Sequence, residues 1–489
     1  MNVRRWGRRL LLLSACVLAG SAAAQIERNL TMPGPLPLFP GDNWWNVDVS
    51  GAPVDTNSAA YLSFIGLTKG LHPDFGGNDP DNAPNGIYGM IYITVPGSQP
   101  LEPVAFDYAS QSDVGAPGRP AGYPIPVQAK TEARWMEGGQ PGNSNAGGDK
   151  HLLIIDRDNR LLFETWNTRC LPQGSPNCTW RAGSGAAYVL DSNRRRPDTW
   201  TSADAAGLAI LPGLVRYDEV YLSSDPILHA FRFTTDTTNQ AYVYPASHQA
   251  GVANASAPPM GMRLRLKASK DISGYSAPLR RIFQAMKTYG LILADNGTDM
   301  YIQGTYDTRW DNGILNPAFD SLKVSDFEVV QLGWKPPVSV SRALPACAST
   351  VGGKSVEISG NDFRSGVTVT LGGTPANVTS FSPTSLIVTA GARASAPHQS
   401  VPIAVTNPAG GGSATSPTNA FTYARRGDAN DNGSLTGADA FFLNLAVFLG
   451  GPQPASLCNG DANGNGAITG ADTFFLNLHI FLGGAAPPP

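Results

Sequence analysis

From about residue 26 to 333, short apolar or alternating runs are broken at close intervals by Gly, Pro, Asn and Asp. They fall at residues 90–95, 104–108, 152–155, 161–166, 186–190, 219–222, 230–234, 262–267, 291–294 and 327–332. Runs of this length between turn signals predict strands, and many short strands predict a β-sandwich or jelly-roll-like module. One segment has helical spacing: Leu279, Ile282, Phe283 and Met286 form a stripe, with Gly290 as its stop. Residues 57–65 and 202–206, each opened by an N-cap type residue, are shorter helical candidates. A second alternating region covers residues 352–363, 367–372, 385–389, 401–407 and 421–423. At the end of the chain, Phe441, Phe442, Leu445, Phe448 and Leu449 stand at i, i+1, i+4, i+7 and i+8, and Phe474, Phe475, Leu478, Phe481 and Leu482 repeat the pattern. Each set predicts a helix with one apolar face, and the two faces are expected to bury each other. The fold class is therefore mainly β and multidomain, with a small α-helical domain at the end.

Composition sharpens this in three ways. The 489 residues suggest about three domains. High Gly (54) and Pro (40) counts favour turns over long helices, and a net charge of −3 supplies no basic field for nucleic acid. Residues 1–24 read as an export signal: Arg4, Arg5, Arg8 and Arg9, then an apolar run, then Ala22-Ala23-Ala24 before Gln25. A competing reading is lipoprotein processing at Cys16, after Leu13-Ser14-Ala15. Either route predicts a secreted, cell-surface or periplasmic protein, and no later run reaches the ~20 apolar residues of a membrane span. In an oxidising compartment Cys170 and Cys178 could close a short loop, and Cys347 and Cys458 could pair or stay free.

The tail carries the most specific motif. Gly427 and Gly460 each open a near-identical stretch in which side-chain oxygens fall at loop positions 1, 3 and 5, a glycine at 6 and a carboxylate at 12. These are Asp428, Asn430, Asn432, Gly433 and Asp439, then Asp461, Asn463, Asn465, Gly466 and Asp472; Ser434 and Ala467 would ligate through their carbonyls, and Thr436 and Thr469 through water. That spacing suits calcium, which takes six to eight oxygens, and predicts two Ca2+ ions. Neither loop has a convincing entering helix. Residues 426–484 thus resemble a type I dockerin, the module that docks to cohesins in polysaccharide-degrading assemblies. The resemblance implies a cohesin-like or cell-surface partner. Two departures stand out: asparagine replaces carboxylate at positions 3 and 5, and the recognition positions 10 and 11 hold Gly437-Ala438 and Gly470-Ala471. Beyond a proline hinge at Trp334-Lys335-Pro336-Pro337, residues 337–424 resemble an IPT/TIG domain, an immunoglobulin-like sandwich, which implies a spacer or contact surface.

Residues 26–333 carry no Gly-x-Ser-x-Gly elbow, His-Glu-x-x-His, phosphate loop or Cys-x-x-Cys pair. The block at 200–220 resembles one in uncharacterised secreted bacterial proteins, which names no reaction. Candidate catalytic residues are Glu164, set among apolar neighbours, Asp218, Glu219, His151 beside Asp149, and His229. Two carboxylates across a cleft could share acid and base or nucleophile duties in glycoside cleavage. Asp218 and Glu219 would point to opposite faces if extended, so either would pair with Glu164 or Asp149 instead. Strand-end Asp156 and Asp295 read as turn residues. Trp44, Trp45, Trp135, Trp166, Trp180, Trp200 and Trp310 are core or sugar-stacking candidates. The expectation is a secreted calcium-binding protein acting in polysaccharide degradation, a candidate O-glycosyl hydrolase. The alternatives are a non-catalytic carbohydrate-binding or adhesion protein and a calcium-held structural component.

Overall fold

The computed structural model describes residues 26–29, 31–79, 84–114, 121–143, 149–173, 175, 177–382, 384–393, 398–408 and 412–488. The expected export signal and Cys16 lie outside these residues.

Two larger sheets organise the large module, beside a three-stranded one of Val104–Phe106, Thr179–Ala182 and Arg169–Leu171. The first has five strands in the order Glu27–Arg28, Tyr92–Val95, Leu152–Asp156, Leu161–Trp166 and Ser184–Val189. Its side chains alternate between two cores: Tyr92, Leu153, Ile155, Leu162 and Tyr188 enter the main one, while Ile93, Val95, Leu152, Ile154 and Phe163 pack against Tyr123, Ile125 and Trp180. Covering both faces explains why these strands read as unbroken apolar runs.

The second sheet runs Phe327–Val329, Arg263–Leu266, Leu291–Asn296, Phe231–Thr235, Tyr301–Gln303 and His72–Asp74. The helix Ala277–Thr288 buries Leu279, Ile282, Phe283 and Met286 in the main core, as its stripe predicts. Gly290 turns the chain out of that helix at φ +76°, and a Cβ there would sit 2.3 Å from the Leu264 carbonyl oxygen, so only glycine fits.

Three expectations for this module change. Tyr92–Val95 with Leu152–Asp156, Phe231–Thr235 with Leu291–Asn296, and Tyr301–Gln303 with His72–Asp74 are parallel pairs, so the sheets are mixed rather than a jelly roll's antiparallel ones. Residues 219–222 form no strand; Asp218–Leu222 is a π-helical turn, because the Asp218 and Glu219 carboxylates both fold back onto Arg216. Residues 202–206 form no helix, since the Ser202 hydroxyl takes the Asp204 N–H and donates to the Leu208 carbonyl, fixing a buried turn.

Next comes a seven-stranded and a three-stranded sheet around Val356, Ile358, Leu386, Val388, Ile403, Phe421 and Tyr423. The last domain sets the helices Gly437–Phe448 and Gly470–Leu482 side by side, each capped by a threonine–aspartate box, Thr436 with Asp439 and Thr469 with Asp472. A four-residue helix, Leu457–Gly460, precedes the second loop. Here the expected burial is met only in part. Phe442 and Phe475 pack against a core that includes Ala440, Leu443 and Leu476, but Phe441, Phe448, Leu449, Phe474, Phe481 and Leu482 are 62–76% exposed. The loops impose this rotation. Asp439 and Asp472 must face their own loops, and the residues four further on, Leu443 and Leu476, share that face.

Cys170–Cys178 and Cys347–Cys458 are both disulfides. The second ties the sandwich to the tail across 111 positions. Constraining a loop of that size stabilises by about 4–5 kcal/mol. We expect reduction to release the tail selectively, read as new proteolytic cleavage between residues 424 and 427 while the large module stays intact.

Candidate functional site

Among the described residues, the segment 200–220 runs between two cavities of the large module. The first, about 490 Å³, is lined by Tyr108, Asp149, Trp166, Asp204, His248 and Asp295 among others. Asp295 stands at the end of the strand Leu291–Asn296, just past an irregularity in its parallel pairing: Phe233 faces Leu293, but Thr234 faces Asp295. Such a bulge re-aims a side chain. Oδ1 of Asp295 accepts the Asn296 N–H at 2.8 Å, and Oδ2 lies 3.8 Å from Nη2 of Arg232. The same guanidinium donates twice to Asp204, Nε to Oδ2 at 3.0 Å and Nη2 to Oδ1 at 2.7 Å, with both side chains buried. Burial pushes the Asp295 carboxyl up, the Asp204 charge adds to this, and Arg232 opposes it; the result is about 7. Its side chain is still 25% exposed. Asp295 is therefore a carboxyl that keeps its proton to higher pH than an ordinary aspartate does.

Aromatic faces flank that group. Tyr108 and Trp166 have ring centroids 6.4 Å apart and planes inclined by 30°, and the indole N–H of Trp166 donates to Asp149 at 3.1 Å. A Cβ on Gly183 would lie 2.3 Å from the Trp166 ring, so this glycine lets the indole lie flat against the backbone. Nδ1 of His248 donates to the Ala205 carbonyl at 2.8 Å. Of the other tryptophans, Trp44, Trp45, Trp135, Trp180 and Trp310 are buried and serve cores.

His151 and Glu164 do not line the cavity; they hold its wall from behind. Nδ1 of His151 donates to Glu137 at 2.7 Å and Nε2 to the Ala203 carbonyl at 3.0 Å. Burial alone would lower the imidazole, but the Glu137 carboxylate outweighs it and raises it to about 9. Glu164 accepts the Ile210 and Leu211 N–H groups at 2.8–3.0 Å, and its complete burial raises it to about 7 despite them. Both shifts have the same sign: each folded-state group holds its proton more tightly than the unfolded chain does. Their contribution is full below the unfolded values of 4.5 for Glu164 and 6.5 for His151, and is lost as pH rises through about 7 and then about 9. We expect the urea midpoint to fall between pH 5 and 9, with the first part of that fall removed by Glu164→Gln and the second by His151→Gln.

The second cavity, about 620 Å³, gathers Asp218, Glu219 and His229. Arg216 lies 3.2 Å from Asp218 and 2.6 Å from Glu219, and His229 Nε2 lies 3.0 Å from Glu219. The two adjacent carboxylates thus converge on one guanidinium instead of diverging. Asp218 also accepts the Met32 N–H at 2.9 Å. Leu38, Phe39 and Ile227 supply apolar walls. Local pattern gave no sign of Asp204 or Arg232 and read Asp295 as a turn residue. The one available signal was the block at 200–220, whose Asp204 finds its partner on a strand 28 residues away.

In the tail the two loops repeat the same bonds. Asp428 accepts the N–H groups of Asn432 (3.0 Å) and Gly433 (2.8 Å), and Asp461 those of Asn465 (2.9 Å) and Gly466 (3.0 Å). Asp439 accepts from Asn430 and Asp472 from Asn463, at 3.3 and 3.1 Å. Gly433 and Gly466 have φ of +83° and +89°. Among the described residues no group of three or more His, Cys, Asp or Glu gathers to hold a metal, because each loop pairs two aspartates with asparagines. The donor set is nevertheless all oxygen, and burial raises the Asp428 carboxyl while Asp439 and Asp431 repel it. This is an environment that a hard cation fits.

No curated protein matches the chain. Among solved structures it is similar to a putative phosphatase from Bacteroides thetaiotaomicron VPI-5482 (22% identity, 18% of this chain and 17% of that one, TM-score 0.14). It is also similar to an auxiliary nutrient binding protein from Bacteroides ovatus ATCC 8483 (21%, 19% and 22%, TM-score 0.16) and to the full extracellular region of plexin A4 (14%, 34% and 15%, TM-score 0.17). The chain spans less than a quarter of the length of each. Among the described residues no helix is long and apolar enough to cross a membrane. The IPT/TIG family matches residues 337–423, so the two-sheet sandwich between the large module and the tail is an IPT/TIG domain.

Proposed function

We propose that this is an exported, calcium-organised modular protein whose large module binds and cleaves polysaccharide at the cavity that Tyr108 and Trp166 help to line. The observation that carries this reading is a carboxyl with a proton affinity near neutrality, Asp295, opening on an aromatic-flanked cavity of about 490 Å³. Sugar rings stack on Trp166 and Tyr108. Asp295 gives its proton to the glycosidic oxygen as the bond to the anomeric carbon breaks; water adds to that carbon, and Asp149 takes the water's proton. Arg232 holds Asp204 through two hydrogen bonds, and the Asp204 charge helps to keep the Asp295 proton in place.

The tail is the dockerin-like part of this reading. Asp428, Asn430, Asn432, Ser434 and Asp439 would hold one Ca2+, and Asp461, Asn463, Asn465, Ala467 and Asp472 the other. Bound calcium supplies positive charge between the loop carboxylates. The exposed Phe441, Phe448, Phe474 and Phe481 form the face on which a cohesin-like partner docks. One observation favours a second reading, glycan binding without cleavage: Asp204 is wholly engaged by Arg232, so Asp149 alone must serve as base.

Reducing-end release by the full chain on a panel of plant and bacterial polysaccharides tests the first reading. Release that stops in Asp295→Asn supports it, and retention on glycan resin with no release supports the second. For Trp166→Ala we expect a 10- to 100-fold loss of glycan affinity, from the loss of about 1–3 kcal/mol of ring contact. An unchanged retention time on the same resin would remove the stacking role.

A further inference from the structure

The duplicated tail is symmetric in its loops but not in its charge. In each half, the residue two before the loop's first aspartate reaches across to the other loop. Nδ2 of Asn459 donates to the Asp428 carbonyl at 3.0 Å, and Nη1 of Arg426 donates to the Asp461 carbonyl at 2.6 Å. The two clamps occupy equivalent places, yet one is a neutral amide and the other a cation. The Arg426 Nη1 also lies 2.8 Å from Oδ2 of Asp461, with side chains only 3% and 4% exposed. Both first aspartates also receive two backbone amides, Asp428 from Asn432 and Gly433 and Asp461 from Asn465 and Gly466, so the guanidinium on Asp461 is the difference between them.

The remaining charges widen the difference. The first loop carries Asp428, Asp431 and Asp439, whereas Gly464 stands in the second at the place of Asp431, leaving Asp461 and Asp472. At the edge of the first loop, Asp431 meets His398 of the IPT/TIG domain at 2.7 Å, and the exposed Arg425 reaches only the Gly433 carbonyl. Two aspartates therefore face each site, with Asp431 a further charge at the rim of the first, bound to His398, while in the second one of the two is already paired with a buried guanidinium.

We infer that Arg426 makes the two calcium sites unequal: the loop from Asp428 to Asp439 binds Ca2+ tightly, and the loop from Asp461 to Asp472 binds it weakly. The inference rests on the calcium reading above. A dication arriving at Asp461 meets a cation held on the same carboxylate, at a distance where burial leaves little screening, and the affinity of such loops follows their ligand charge. Arg426 in turn keeps the second loop closed before metal arrives. The weak site then responds to changes in calcium that leave the tight site full.

Calorimetric titration of the full, chelator-stripped chain with CaCl2 tests this. The expected result is two binding events separated on the order of tenfold or more. Asp428→Asn should remove the tighter event and Asp461→Asn the weaker. Arg426→Gln, which keeps an amide donor in the manner of Asn459, should tighten the weaker event toward the other. Should that variant fold poorly, as judged by circular dichroism, Asn459→Arg gives the converse test and should weaken the tighter event. Two equal events in the unaltered chain, or an Arg426→Gln or Asn459→Arg titration that matches it, overturn the role of Arg426 while leaving calcium binding in place. No heat at all at millimolar Ca2+ removes the calcium reading itself and this inference with it.

Discussion

Asp295→Asn is expected to lower polysaccharide cleavage about 10²- to 10⁴-fold, the usual contribution of a general acid, while glycan retention stays within about twofold. Asparagine keeps the shape and the bond from the Asn296 N–H but has no proton to give. The pH profile carries the sharper test. With Asp295 raised to about 7, the acid form is present below that value and disappears above it, so the rate should fall about tenfold per pH unit on the alkaline side. Neutralising Asp204 removes the repulsion that helps to hold Asp295 up, and Asp204→Asn should move that limb toward lower pH. A rate that is flat from pH 6 to 9, or an Asp295→Asn protein with full activity, would sink Asp295 as the acid.

The second large effect concerns stability. Arg232→Met should destabilise the large module by about 3–5 kcal/mol, because it strands the fully buried Asp204 without a partner. The urea midpoint of the large module is the measurement. Adding Asp204→Leu to Arg232→Met removes the stranded charge, and the double variant should regain most of the loss, since a buried ion pair and a well-packed apolar pair differ little in net stability. If Arg232→Met alone shifts the midpoint by less than the equivalent of about 1 kcal/mol, the pair contributes no more than an exposed one would.

These two experiments bear on different layers of one arrangement. Arg232 draws Asp204 and Asp295 to the same wall, and His151 and Glu164 anchor the 200–220 segment that forms it. Glu164 owes its shifted proton affinity to the burial that keeps it out of the cavity, and His151 owes its shift to the Glu137 carboxylate bonded to it behind the wall. Displaced proton affinity alone therefore does not separate a residue that meets a ligand from one that positions the wall; exposure to the cavity does.

Short-range signals read well wherever one residue's neighbours in the chain are also its neighbours in space. The helix Ala277–Thr288 with Gly290, the alternating strands of the IPT/TIG domain, and the two helices of the tail were all legible for that reason. Where the outcome depended on a distant partner, local pattern misled. Arg216 curled Asp218–Leu222 into a π-turn, and the demand that Asp439 and Asp472 face their loops turned Phe441, Phe448, Phe474 and Phe481 outward. Periodicity identifies an apolar stripe but does not say what will cover it. The Asp204–Arg232–Asp295 grouping belongs to the same class, since long-range strand pairing and burial alone bring those charges together and set which of them keeps its proton.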